Sequence, residues 1–304
     1  MRGFLHATLH ALLLSIILII FTEIFRCMLK SFYRYYILNG ELRASEKYDP
    51  GSICTGTSIY EVFRIIRGTP LFLGEHLDRL YRSAALLDRK IEISSEEILQ
   101  QVKRLSEANQ VELGNIEIIF NFCEPPDQKP DFVMLFIEQR YPSDEQYRDG
   151  VGAISYDAVR LAPQIKQINL EMRQKTSSTI AENKLYEVIL VNPDNHITEG
   201  SRSNLFFVED GTIFTPPVEL ILPGITRDKI FKICKDNNIN IREKNIRLSD
   251  ISNYDAAFIS GTSPKILPLQ FIDQVTFNTS NAIMREIMRK YDQMIEEYIS
   301  KMQS

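Results

Sequence analysis

Metal and disulfide chemistry have little to draw on in this chain. Its four cysteines (Cys27, Cys54, Cys123, Cys234) and four histidines (His6, His10, His76, His196) are scattered over 304 residues. No C-x-x-C occurs and no group has the spacing of a metal site, so none is expected. Thiols so far apart in a chain of this length read as free thiols of a reducing compartment. Positive charge is also in short supply: 35 Lys and Arg against 40 Asp and Glu give a formal net charge of −5. A nucleic-acid partner needs a basic face, so that class is excluded. Repeats and low-complexity stretches are absent. At 44% hydrophobic and 25% charged residues the composition allows a large core and excludes disorder.

The length suffices for two domains. Residues 1–30 form a hydrophobic extension, in which 3–22 carry no formal charge and 12–21 are nearly all aliphatic. That length just spans a bilayer, although His6 and His10 dilute it. A cleaved signal is disfavoured, because no small-x-small site follows the apolar core. The preferred reading is a start placed too early, with Met28 opening MLKSFYRYYILNG, and a membrane anchor through 3–22 is second. A cytoplasmic location goes with the first of these.

Beyond the extension, RYYILNGEL reads as a strand and turn, followed by a loop around Pro50-Gly51. SIYEVFRIIRGTPLFL alternates as a hairpin turning at Arg67-Gly68-Thr69-Pro70. A helix follows over 75–87, with Leu77, Leu80, Ala84 and Leu87 on one face. Ser94-Ser95-Glu96-Glu97 starts a second helix ending near Asn109, since hydroxyls cap and acids suit the first turn. Strands over 116–122 and 132–137 flank the turn EPPDQKP. These elements compose a small α/β domain, 31–140. The polar segment 141–150 is the linker, and 151–304 is a larger domain opening on the strand VGAISYDAVR. Within it come a helix over 169–183, the strand YEVILV, and later the strands NINIREKNI, AAFISGT and KILPLQFI. An amphipathic helix closes the chain, its stripe made of Ile283, Ile287, Tyr291, Met294, Ile295 and Tyr298.

The most informative stretch is EGSRSNLFFVEDGTIFTPPVELILPGITR, residues 199–227. Leu205 to Val208 form an apolar strand, Glu209-Asp210-Gly211 the turn, and Thr212 to Phe214 the return strand. Pro216 and Pro217 stop that strand, having no N–H for a ladder. Gly224-Ile225-Thr226 then enters a helix carrying Ile230, Phe231, Ile233 and Cys234 at helical spacing. Such an entrance offers unpaired N–H groups and the positive end of the helix dipole, which together bind phosphate.

E-G-x-x-x-N-L-F followed by T-P-P and L-P-G-I-T-R resembles the class IV aminotransferases, the fold-type-IV pyridoxal 5'-phosphate (PLP) enzymes. These include branched-chain and D-amino-acid aminotransferases and aminodeoxychorismate lyase. The likeness runs from about Tyr36 to Asp273. It implies a mixed α/β (α+β), two-domain fold of the D-amino-acid aminotransferase kind, PLP as cofactor, amino-acid and 2-oxo-acid substrates, and a homodimer. Aminotransfer is the leading activity. Aminodeoxychorismate lyase is the alternative, and an inactive or regulatory PLP-binding member is a third.

A PLP enzyme needs a lysine to bond the cofactor and move the Cα proton, a carboxylate at the ring nitrogen, phosphate anchors and a substrate surface. Lys166, Lys175 and Lys184 are the local candidates, and QIKQIN resembles the family's I-K-x-L-N, which selects Lys166. Glu199 matches the acid at the ring nitrogen. Arg79 in EHLDRL matches the phosphate arginine, its rival role being a surface pair with Glu75. Gly224, Ile225 and Thr226 would hold phosphate at the helix start, and Gly261 and Thr262 belong to a second phosphate loop. Leu222 would pack on the ring, with a plain core leucine as its rival. Tyr60 would line the substrate pocket, with a core-facing strand tyrosine as its rival. Three positions depart from the family. Phe122 stands where D-amino-acid enzymes carry the carboxylate arginine, Glu171 where branched-chain enzymes carry a tyrosine, and Arg202 at a place that is commonly small.

Overall fold

The computed structural model describes residues 31–48, 56–123 and 129–304. The N-terminal extension with Met28, the Pro50-Gly51 loop and most of the EPPDQKP turn lie outside the described residues.

The first sheet holds β1 (Tyr35–Leu38), β2 (Glu41–Ala44), β3 (Gly56–Ile66), β4 (Thr69–Pro70), β5 (Leu113–Cys123) and β6 (Asp131–Ile137). Their order is β2-β1-β6-β5-β3-β4, with every neighbouring pair antiparallel. The β3–β4 hairpin turns on Arg67 and Gly68, both at positive φ (51° and 73°), as a tight hairpin turn requires. Helices α1 (Leu73–Ala85) and α2 (Ser95–Asn109) cover one face. Leu77, Leu80, Ile98, Val102 and Leu105 pack there against Phe63, Ile65 and Ile118. Helix α2 starts on a full capping box: Ser94 Oγ accepts from Glu97 N, and the Glu97 carboxylate accepts from Ser94 N.

The polar segment read as a linker contains a short helix, α3 (Asp144–Asp149), with its own capping box from Ser143 and Gln146. The second sheet then opens with β7 (Val151–Asp157), shorter than the strand expected to run to Arg160. Helix α4 (Leu170–Asn183) leads to β8 (Glu187–Val191), β9 (His196–Gly200), β10 (Asn204–Glu209) and β11 (Thr212–Thr215). Helix α5 (Ile225–Asp236) follows, then β12 (Ile241–Glu243), β13 (Ile246–Arg247), β14 (Ala256–Gly261), β15 (Lys265–Ile272), β16 (Val275–Thr276) and α6 (Ala282–Gln303).

The order β12-β11-β10-β14-β15-β7-β8-β9-β13, with β16 beside β15, makes a ten-stranded sheet. NINIREKNI, expected as one strand, divides into β12 and β13 at opposite ends of that order. Only Lys244 and Asn245 separate them, so the sheet curls until its edges nearly meet. Both faces are buried. Phe206 and Phe258 stack at 4.9 Å and pack with Ile230, Ile287 and Tyr291 of α5 and α6, while Leu205, Phe207 and Ile259 fill the opposite face. Strands covered on both sides read as continuous apolar runs, as LFFV does.

Cys234 is free and buried, but Cys123 is disulfide-bonded, which corrects the reading of four free thiols. Among the described residues no helix is long and apolar enough to cross a membrane, and no cluster of His, Cys, Asp and Glu could hold a metal ion.

Candidate active site

The site is assembled where β3, the segment before α4, and the entrance of α5 meet. Strand alternation turns Ile59, Glu61, Phe63 and Ile65 toward α1, and Tyr60 toward the other face with Ile119. A buried glutamate in that apolar row needs partners, and α1 supplies two. Arg79 donates Nε to Glu61 Oε1 at 2.6 Å and Nη2 to Oε2 at 2.7 Å, and His76 Nδ1 lies 2.8 Å from Oε2. Burial works to raise the Glu61 carboxyl, yet Arg79 and His76 hold it down at about 2. Burial also lowers the His76 pKa, so its neutral ring gives the Nδ1 hydrogen to the carboxylate. Glu75, the rival partner for Arg79, pairs instead with Lys229.

Arg79 Nη1 also donates to the Pro223 carbonyl at 2.8 Å, which places the guanidinium at the mouth of α5. Two of its five N–H groups remain free of these contacts. The helix entrance is open: Gly224 is the N-cap and no side chain caps it. A Cβ on Gly224 would lie 1.9 Å from Asn204 Oδ1, so only glycine fits. Asn204 in turn donates Nδ2 to the Leu222 carbonyl at 2.9 Å, fixing the turn ahead of the helix. Ile225 and Thr226 are buried, with Thr226 Oγ1 at 3.4 Å from Tyr291 Oη. Across from them Thr262 Oγ1 donates to the Val62 carbonyl at 3.2 Å. Gly261 closes that loop, leaving 3.4 Å between its would-be Cβ and the Arg202 carbonyl.

Lys166 is fastened to β3 by its backbone. Its carbonyl accepts from Tyr60 N at 2.9 Å, Ile168 N donates to Ser58 O at 2.9 Å, and Gln167 bridges Ile59. Its Nζ stands 4.7 Å from the centroid of the Tyr60 ring. Burial lowers the Lys166 pKa, with Arg79 and Arg160 adding to the effect against Tyr60 and Glu61. The other two candidate lysines are elsewhere: Lys175 pairs with Glu171 on the exposed face of α4, and Lys184 is an exposed C-cap. Glu171, at the branched-chain tyrosine position, therefore faces away from Lys166.

Glu199 is buried on β9. Its Oε1 accepts from Arg160 Nε at 2.8 Å and its Oε2 from Leu222 N at 3.1 Å. Burial raises its pKa, with Arg160 opposing. Tyr60 is surrounded by cations. Burial works to raise its pKa, but Arg173, Lys166 and Arg160 prevail and bring it down to about 7.

Of the ten residues singled out in the sequence, contacts join Lys166 to Tyr60 and Glu199 to Leu222, Arg79 reaches the Pro223 carbonyl next to Gly224, Ile225 and Thr226, and Thr262 beside Gly261 reaches Val62. Glu61, His76, Glu117, Arg160 and Arg173 were not foreseen. Glu61 and His76 had a usable signal, an acid at a core-facing strand position and a histidine one helical turn before Arg79. Arg160 and Arg173 had none, because their partners come from distant strands. The set also fits PLP: an amine with a lowered pKa, a buried acid, and an uncapped helix mouth beside an arginine with N–H groups to spare.

Residues 58–272 match the sequence profile described as amino-transferase class IV. The chain belongs to the class IV aminotransferases. It is 33% identical over 233 residues to the D-alanine aminotransferase of Bacillus licheniformis, covering 74% of this chain and 82% of that one. The branched-chain amino acid aminotransferase of Escherichia coli superposes with a TM-score of 0.77 at 23% identity, over 86% of this chain and 94% of that one. The branched-chain amino acid aminotransferase of T.th., solved with pyridoxamine 5'-phosphate, gives 0.75 at 21%, over 86% and 94%. At these identities the solved structures establish the fold, which is the class IV architecture expected from the sequence.

Proposed function

We propose that this class IV aminotransferase moves an amino group between an amino acid and a 2-oxo acid on PLP bonded to Lys166. The observation that carries the reading is the Lys166 amine, whose charged form burial disfavours, within the field of Arg79, which itself reaches the uncapped mouth of α5. Bound PLP supplies the electron sink that makes the substrate's Cα–H acidic.

The chain's own residues do the rest. Lys166 Nζ, whose ammonium form is disfavoured by burial, takes the proton from the substrate Cα. Glu199 would present its carboxyl to the ring nitrogen, with Arg160 favouring the charged form against the effect of burial. The Leu222 N–H orients Glu199, and its side chain packs on the ring. The N–H groups of Ile225 and Thr226, the spare N–H groups of Arg79 and the Gly261-Thr262 loop bind phosphate. Tyr60 lines the substrate side.

The two-domain division at 141–150, a homodimer and a cytoplasmic location belong to the same proposal. Leu161, 95% exposed beside Arg160, suits burial by a second copy, which light scattering on the purified protein would detect. Endogenous protein in washed membranes, at the mass of the full chain, would replace the cytoplasmic reading with a membrane anchor.

The decisive experiment reduces the PLP-loaded protein, purified from Met28, with borohydride and maps the labelled peptide. Label on Lys166 is expected; label on Lys175 or Lys184 overturns the assignment. Amino transfer to 2-oxoglutarate, without release of pyruvate and 4-aminobenzoate, separates the reading from the lyase.

A further inference from the structure

Arg173 and Glu117, near Lys166, are not used by the proposed reaction. Arg173, seven residues after Lys166, lies on the first turns of α4 with its Cζ 4.3 Å from the Tyr60 ring that Lys166 also faces. Its acid is Glu117 on β5, buried on the Tyr60 face. The closest approach, Nη2 to Oε1, is 3.6 Å, a looser ion pair than Arg79–Glu61 at 2.6 Å or Arg160–Glu199 at 2.8 Å. The Arg173 side chain is 21% exposed and so remains reachable, whereas Glu117 is 4% exposed.

Arg202, from the second sheet, has no acid within ion-pair distance among the described residues, and its Nη2 donates to Ser177 Oγ at 2.7 Å. Arg160, Lys166, Arg173 and Arg202 thus gather around Tyr60, and Arg160 already has Glu199. Glu117 is the carboxylate that pairs with Arg173. A reachable guanidinium loosely paired with a buried acid, next to a reactive amine, has the form of a carboxylate receptor at rest. Position 122 offers no alternative, since Phe122 is buried in the core under α1 and α2.

We propose that Arg173 receives the substrate's α-carboxylate and that Glu117 is the resident anion it competes with. The proposal rests on Lys166 being the reactive amine. Arg202, exposed at the rim, adds attraction for the incoming anion without holding it.

Two roles for the pair predict opposite signs. If Glu117 competes with the substrate, Glu117→Gln removes the competitor and strengthens carboxylate binding by about threefold. If Glu117 only tethers Arg173 in place, the same change loosens the guanidinium and weakens binding. Arg173→Met should weaken binding about 10- to 100-fold, the value of a charge-assisted hydrogen bond, and Arg173→Lys should fall between. The measurement is calorimetric titration of the PLP-loaded protein with pyruvate as the probe, alongside borohydride mapping of the lysine.

Wild-type affinity in both Arg173 variants, or weaker pyruvate binding in Glu117→Gln, overturns the proposal even with label on Lys166. If Arg173→Met does not fold, the Lys and Gln variants decide. Label on another lysine together with Arg173-dependent pyruvate binding removes the Lys166 assignment and leaves the carboxylate receptor standing.

Discussion

Arg79 holds Glu61 by two parallel bonds, Nε to Oε1 at 2.6 Å and Nη2 to Oε2 at 2.7 Å, with both groups buried. Removing one charge of such a pair leaves the other stranded without water. Glu61→Gln is therefore expected to cost about 3 kcal/mol of stability in denaturant unfolding, and to weaken PLP binding because Arg79 loses its orientation.

The same pair sets an acid limit. The Glu61 carboxyl is held at about 2, below its ordinary 4.5, so its contribution is complete above the unfolded value and is lost as pH falls toward the folded one. Unfolding free energy of the wild type should drop between about pH 4.5 and 2 more steeply than that of Glu61→Gln. Parallel slopes in that window would contradict the assignment.

Tyr60 gives a second titration. Its hydroxyl is lowered from 10 to about 7, so the stability it adds is present above pH 10 and disappears as pH falls through 7. Absorbance titration should reveal one phenol ionising near pH 7 that is missing in Tyr60→Phe. Stability should also rise more between pH 7 and 10 in the wild type than in the variant.

Gly224 tests the helix mouth. Its backbone, at φ −79°, is ordinary for any residue, so the need for glycine is steric: a Cβ would stand 1.9 Å from Asn204 Oδ1. Gly224→Ala should cost about 1–3 kcal/mol through overpacking. It should also reduce PLP affinity by about tenfold, read by spectroscopic titration, a loss of the size of one charge-assisted hydrogen bond.

Ser94 offers a control far from the site. Its hydroxyl closes the capping box of α2 at 3.2 Å, and Ser94→Ala should lower stability by about 1 kcal/mol with catalysis unchanged.

Local signals in the sequence carried much of this. The 204–215 hairpin, the α2 cap and the α5 entrance each depend on residues within a few positions of one another, and all are found where turn and cap chemistry put them. NINIREKNI failed as a single strand because its two halves take partners at opposite edges of one sheet, a choice no local pattern encodes. The site shows the same division. Lys166, Glu199 and Thr226 stood in recognisable strings, whereas Arg160 and Arg173 acquire meaning only from Glu199 and Glu117, brought near by folding. On α4 the helical turn separates Arg173 and buried Thr176 from exposed Lys175, so neighbours in sequence face in opposite directions.

Lys166 is stitched through its backbone to β3 of the first sheet, while Glu199 rides on β9 of the second. The amine and the acid of the proposed centre are therefore held by different sheets. A slide of one layer over the other would change their separation directly, so a substitution buried between the layers, touching neither residue, can retune the chemistry from a distance.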